Sequence, residues 1–218
     1  MTRQAEIKGA DIWARVFSIV YDPMLWMGER AGLGALRRDL LGQAGGRTVE
    51  LGSGTGLNLR YYPGDLDELI LTEPGAAMRA RLARRLRRDG RRLRVLDAPA
   101  EQLPFADETV DTVVATLVLC TVEAPDSALR EIGRVLRPGG RLLFLEHVRS
   151  RSPRLGAWQD RLADPWRRFA EGCHCNRATD ELLDGCALDV EHVAKASWRA
   201  MPPIVLPLIT GVATKRGG

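Results

Sequence analysis

Glu50-Leu51-Gly52-Ser53-Gly54-Thr55-Gly56 is the stretch on which the reading of this chain turns. The apolar run Thr48-Val49-Glu50-Leu51 leads into it as a strand, and glycines stand at 52, 54 and 56. A dinucleotide fingerprint places its third glycine three residues after the second. Leu57 occupies that place, and no Gly-Lys-Ser/Thr follows, so neither that fingerprint nor a nucleotide phosphate loop fits. What remains is bare backbone that a ligand can approach closely, with free N–H groups beyond it that suit a carboxylate. Glu50, acceptor-only when ionised, suits an ammonium. A ligand carrying both groups is an amino acid.

Working outward, a second apolar run, Leu69-Ile70-Leu71-Thr72-Glu73, ends on a carboxylate 17 residues after Gly56. An acid there can accept hydrogen bonds from both hydroxyls of a ribose. An amino acid joined to a nucleoside is S-adenosylmethionine. The alternative is a structural glycine turn beside an unrelated acid. Further strands are read at Leu93–Leu96, Val110–Val118 and Leu142–Leu145, with helical patterns at 54–62, 75–89 and 124–136. Arg137-Pro138-Gly139-Gly140 stops the last of these helices. Segments 154–171 and 176–184 read as helices, and Ala187–Ser197 and Ile204–Thr214 as two final strands. The alternation predicts an α/β fold: a Rossmann-like, seven-stranded, mostly parallel sheet with helices on both faces and a helical N-terminal cap. One domain is expected over 1–218, with the cap at 1–45. A cofactor-binding core at 46–150 and an acceptor side at 151–218 complete it.

Composition narrows the classes. The chain has 218 residues and a net charge of +4, with no apolar run long enough to span a membrane. The N-terminus lacks the apolar region of a secretory signal, so four reduced cysteines and a cytoplasmic location are expected. Nine arginines crowd 79–94 without interleaved aromatic residues, which argues for a solvated helix face and against a nucleic-acid partner. Ile12, Trp13, Val16, Phe17, Ile19 and Val20 recur at helical spacing until Asp22-Pro23 interrupts them, and Met24–Met27 follows as an apolar plug. This amphipathic segment suits a helix packed on the body, a lid over a pocket, or a peripheral membrane contact. Oligomeric state is left open.

Taken in order, these residues resemble a class I S-adenosylmethionine-dependent methyltransferase. Glu50–Gly56 looks like the first motif of that family, and Glu73-Pro74 with Met78 like its ribose-binding second motif. Ala100-Glu101-Gln102-Leu103-Pro104-Phe105 is similar to the loop bordering the adenine in quinone C-methyltransferases. Asp111 leading into strand four, and Arg134–Gly140, fit the same pattern. Thr116-Leu117-Val118-Leu119-Cys120-Thr121-Val122 resembles the strand-four segment of the animal microsomal thiol methyltransferases. So do Leu145-Glu146-His147-Val148, Trp158 with Asp164-Pro165, and Gly172-Cys173.

The resemblance implies S-adenosylmethionine as cofactor and a small apolar acceptor, a thiol first. A phospholipid headgroup amine, or C- or O-methylation of a quinone or other small molecule, is the alternative. A non-catalytic binder of the cofactor is the rival of another class. Cofactor contacts are implied at Tyr21, Glu50, Gly52, Ser53, Gly54, Thr55, Gly56, Asn58, Glu73, Pro74, Met78, Asp97, Ala98, Ala100, Glu101, Thr116, Leu117 and Leu119. Two departures stand out. Members of the thiol family carry an N-terminal membrane anchor, where this chain has only the amphipathic segment near 10–27. Pro99 also stands where the adenine loop usually has an acid, so Asp97, Glu101 or backbone must serve.

Methyl transfer from a sulfonium releases a neutral thioether, so the protein mostly positions the nucleophile and excludes water. A thiol acceptor must lose its proton, because the thiolate is the nucleophile. His147, just past strand five, is the candidate base against a purely structural role, and Glu146 either orients it or caps a turn. Cys120 reads as a small buried hydrophobe. Cys173-His174-Cys175 with Cys186 or His192 fits no zinc spacing, so no metal is expected. Trp13, Phe17, Trp26 and Trp158 line an acceptor pocket or belong to the core.

Overall fold

A computed structural model describes residues 3–217, with backbone alone over 3–11. At its centre is β1 (Arg47–Leu51), buried over its last four residues. It pairs in parallel with β2 (Glu68–Thr72) on one side and β4 (Val110–Thr116) on the other. With β3 (Arg94–Leu96), β5 (Leu136–His147), β6 (Leu188–Ser197) and β7 (Pro207–Lys215) the sheet runs β3-β2-β1-β4-β5-β7-β6. Only β7 runs against its neighbours. The expected seven-stranded, mostly parallel sheet is what forms.

Apolar residues alternate between its faces because successive side chains of a strand point opposite ways. Val113, Ala115, Leu142 and Phe144 join Ala128, Leu129, Ile132 and Val135 of α4 (Pro125–Val135) on one face. Val114, Leu143 and Leu145 pack on the other face with Leu25 of α1 (Arg3–Gly28) and Leu40 and Leu41 of α2 (Gly34–Leu41). A smaller cluster seats Leu82 and Leu86 of α3 (Ala76–Arg88) on Leu71. The strand order reverses between β1 and β4, so the crevice at their carboxyl ends is the ligand position of such sheets.

Several boundaries depart from the sequence reading. The helix expected at 54–62 is only a 3₁₀ turn, Leu57–Arg60, because Gly56 is left-handed at φ +86° and cannot start an α-helix. Asp22-Pro23 does not interrupt α1, which runs through to Gly28. Phe17, Tyr21 and Leu25 recur every four residues facing inward, and burial of Phe17 and Leu25 outweighs the single hydrogen bond Pro23 forfeits. Arg137–Gly140 is a bulge inside β5, since Leu136 already pairs with Val110 before Arg141 pairs with Thr112. The last strand starts at Pro207; Pro203–Val205 before it is a 3₁₀ turn that buries Ile204 and Val205. Helix α5 (Pro153–Phe169) forms as expected, and α6 is shorter than the expected 176–184, covering Thr179–Asp184. No helix among the described residues is long and apolar enough to cross a membrane.

Candidate active site

The glycine turn begins where β1 ends. Gly52 and Gly56 have positive φ, and a Cβ at either would lie 2.7 Å from Val118 Cγ2 or from Leu82 Cδ1. Neither tolerates a side chain. Gly54, also left-handed at φ +55°, has nothing nearer than 3.9 Å to its missing Cβ, so its bareness leaves room in the crevice itself. That crevice is lined by Tyr21, Arg37, Glu50, Gly52, Ser53, Gly54, Thr55, Leu57, Asn58 and Thr116.

Glu50 is buried, and its two oxygens accept from Asn58 Nδ2 and the Tyr62 hydroxyl, each at 2.9 Å. Burial pushes its carboxyl up to about 7, against the pull of those two bonds. Asn58 also donates to Thr116 Oγ1 at 2.8 Å. Arg37 was not expected here. Its guanidinium is 3% exposed, pairs with Glu29 at 2.9 Å, and donates to Asn58 Oδ1 and Thr116 Oγ1. Among the described residues, Nη2 of Arg37 makes no hydrogen bond. The signal was present: Leu33, Arg37, Leu40 and Leu41 share one helical face, which puts an arginine on a buried stripe.

Glu73 lies just past β2 and accepts from the N–H of Gly54 at 2.8 Å and of Gly75 at 2.7 Å. Burial raises its pKa against those bonds. Pro74 is exposed and Met78 half-buried on the first turn of α3. Of the two acids near Pro99, Asp97 pairs with Arg79 at 2.7 Å. Glu101 accepts the N–H of Glu123 and Ala124 at the start of α4. Ala98 and Ala100 are buried, Ala100 within the core. Above the turn, Asp22 of α1 accepts from the Thr55 hydroxyl and from Arg85 of α3, which fastens α1 over the crevice and sets Tyr21 in its wall.

The far half of the site is built where β4 and β5 end. Leu117 turns the chain at φ +59° and donates to Leu145. Glu146 accepts the backbone N–H groups of Val118, Leu119 and Cys120, at 2.9, 3.0 and 3.4 Å. It therefore caps the turn after β4. Leu119 is buried in the core beneath that turn. His147 is 1% exposed, with Nε2 2.9 Å from Cys173 Sγ. Trp166 Nε1 donates to the same sulfur at 3.2 Å, and Cys120 Sγ lies 3.9 Å from it. The bond to Cys173 and burial hold the Cys120 thiol well above its ordinary value. Residues 120, 147 and 173 come from three separate places, the turn after β4, the end of β5 and the loop after α5, so no local spacing could reveal this cluster. Neighbouring Cys175 instead faces the carbonyl of Gln159. Phe17 is core, and Trp13 packs on it and on Phe169; Trp26 and Trp158 are exposed.

A wider hollow lies between Tyr62 and Arg94, at the amino ends of β2 and β3 and away from these carboxylates.

The sequence model of the methyltransferase domain matches residues 49–144. Thiol S-methyltransferase TMT1B of Rattus norvegicus is 36% identical over 187 residues, covering 82% of this chain and 75% of that protein. Thiol S-methyltransferase TMT1A of Homo sapiens is 31% identical over 209 residues, covering 91% and 83%. Among solved structures, a possible histamine N-methyltransferase of Thermotoga maritima superposes with a TM-score of 0.67 at 22% identity, covering 95% of this chain and all of that one. With the crevice and its glycine turn, these likenesses settle the family: the chain belongs to the S-adenosylmethionine-dependent methyltransferases, among which the thiol S-methyltransferases TMT1A and TMT1B are its relatives.

Proposed function

We propose that this methyltransferase passes the methyl group of S-adenosylmethionine to a small thiol. Glu50 receives the ammonium of the methionine end and Arg37 its carboxylate. Glu73 receives the ribose, with Gly54 giving the ligand room. Tyr21 and Thr116 close the wall. The observation that carries the thiol reading is the soft corner at the carboxyl ends of β4 and β5, where His147 sits on the sulfur of Cys173 at 2.9 Å. That corner adjoins the crevice through Thr116 and Val118, and the relatives named thiol S-methyltransferases support the same acceptor.

His147 activates the acceptor. The thiol gives up its proton, the thiolate attacks the methyl carbon, and the carbon–sulfonium bond breaks to release neutral S-adenosylhomocysteine. Such assistance typically gives about 10² to 10⁴-fold in rate. Residues 1–45 serve as a cap, 46–150 as the cofactor core and 151–218 as the acceptor side.

The outer face of α1 carries Ile12, Val16, Ile19 and Val20, with Trp26 and Met27 beyond them, all exposed. On a chain of net charge +4 this stripe suits a peripheral seat on an anionic cytoplasmic membrane surface. Co-sedimentation with phosphatidylserine vesicles, lost in Ile19→Glu, supports that seat; equal binding by both proteins refutes it.

An acceptor screen reading S-adenosylhomocysteine, with thiols, amines, phenols and lipids side by side, tests the reaction. Turnover with thiols, lowered in His147→Ala at unchanged cofactor affinity, is expected. Turnover with an amine or phenol alone overturns the thiol.

A further inference from the structure

Cys120, His147 and Cys173 have ligand atoms that all lie within 4.8 Å of one another. Each comes from a different place: the turn after β4, the end of β5 and the loop after α5. Their spacing suits an ion. Two thiolates on a tetrahedral zinc, with bonds of about 2.3 Å, stand roughly 3.8 Å apart, and the two sulfurs here are 3.9 Å apart. The imidazole nitrogen, 2.9 Å from Cys173 Sγ, would withdraw by roughly 0.6–0.7 Å to share a tetrahedral centre with it.

The ring of His147 is buried and turns Nε2 onto the sulfur of Cys173, while its Nδ1 has no partner among the described residues. One further observation points to an ion. Trp166 directs its N–H onto Cys173 Sγ, the outer support that metal thiolates receive. Charge is balanced: two thiolates and Glu146 face a dication and Arg177, whose Nη1 is fixed on the carbonyls of Leu119 and Val122.

We propose that Cys120, His147 and Cys173 bind one zinc ion and leave its fourth position open, the arrangement of catalytic rather than structural zinc. Thiolate and imidazole donors select zinc over magnesium or calcium. The ion itself stands on the cluster geometry alone. Its use rests on the thiol reading above: the acceptor thiol occupies the open position, its proton leaves to solvent, and the zinc-held thiolate attacks the methyl carbon. The ring is then a ligand, and the ion does the work of a base.

The protein, purified from zinc-supplemented medium and dialysed in metal-free buffer, tests this by plasma mass spectrometry. About one zinc per chain is expected, and none in Cys120→Ser/Cys173→Ser that still titrates S-adenosylmethionine normally. Cobalt added to the metal-free protein should give a thiolate-to-cobalt absorption band that shifts with propanethiol. A wild-type protein that binds the cofactor yet retains neither zinc nor cobalt overturns the site, as does a band that persists in the double variant. A band that propanethiol leaves unmoved keeps the ion and overturns the open position as the acceptor's seat. Thiol methylation by metal-free protein at the full rate rejects the zinc step while sparing the thiol acceptor. Bound zinc with no thiol turned over does the reverse.

Discussion

Replacing Arg37 by methionine separates what this residue does for the fold from what it does for the ligand. Its guanidinium pairs with Glu29 at 2.9 Å, with side chains 3% and 7% exposed. Removing one partner of such a pair strands a buried charge at a cost of about 3–5 kcal/mol. Arg37→Met alone should therefore lower the urea midpoint sharply. Glu29→Gln/Arg37→Met removes both charges, and methionine suits a position flanked by Leu33, Leu40 and Leu41, so the cost of the stranded charge should return, leaving about 1–3 kcal/mol for Asn58 Oδ1, which loses its donor. Cofactor affinity should not return. A charge-assisted bond to the methionine carboxylate is worth about 1.5–3 kcal/mol, which is about ten- to a hundredfold in Kd. Calorimetric titration of the double variant should show that loss for S-adenosylmethionine. It should show none for 5′-methylthioadenosine, which lacks the amino-acid end. Equal weakening of both ligands, or of neither, would refute the placement of Arg37.

Glu50, pushed up to about 7 from 4.5, makes the site pH-sensitive. An ammonium favours its ionised form, so below pH 7 binding should expel a proton and affinity fall about tenfold per pH unit; Glu50→Gln should bind weakly at every pH without that slope. In the free protein the folded state holds this proton more tightly than the unfolded chain. Stability from Glu50 is therefore full below about 4.5 and is lost as pH rises through 7, by about 3 kcal/mol in urea titrations. Gly56→Ala should destabilise the fold by roughly 2–4 kcal/mol, since its Cβ meets Leu82 and Leu59 at a left-handed position. Gly54→Ala should cost about 1–2 kcal/mol of stability and mainly abolish cofactor binding. Glu146→Gln should lower stability by about 1–3 kcal/mol by disturbing three backbone bonds, and slow turnover more than it weakens the cofactor.

What could be read in advance was whatever lay close together along the chain. The strand, the glycines and Glu73 sit within one crossover from β1 to the neighbouring parallel β2, where spacing converts directly into geometry. Arg37 escaped because burial of a charge is decided by partners, and Glu29, Asn58 and Thr116 come from three other segments. The Cys120–His147–Cys173 cluster escaped for the same reason at longer range. Pro23 misled because local propensity yielded to the tertiary burial of Leu25. The two acids beside Pro99 looked equivalent in sequence, and only the fold turned one to Arg79 and the other to α4.

A crystal structure with S-adenosylhomocysteine bound tests the account most directly. The ammonium should rest on Glu50, the carboxylate on Arg37 and both ribose hydroxyls on Glu73, with the ligand's sulfur turned toward His147 and Cys120. Density in the hollow between Tyr62 and Arg94, with the glycine crevice closed, would contradict it.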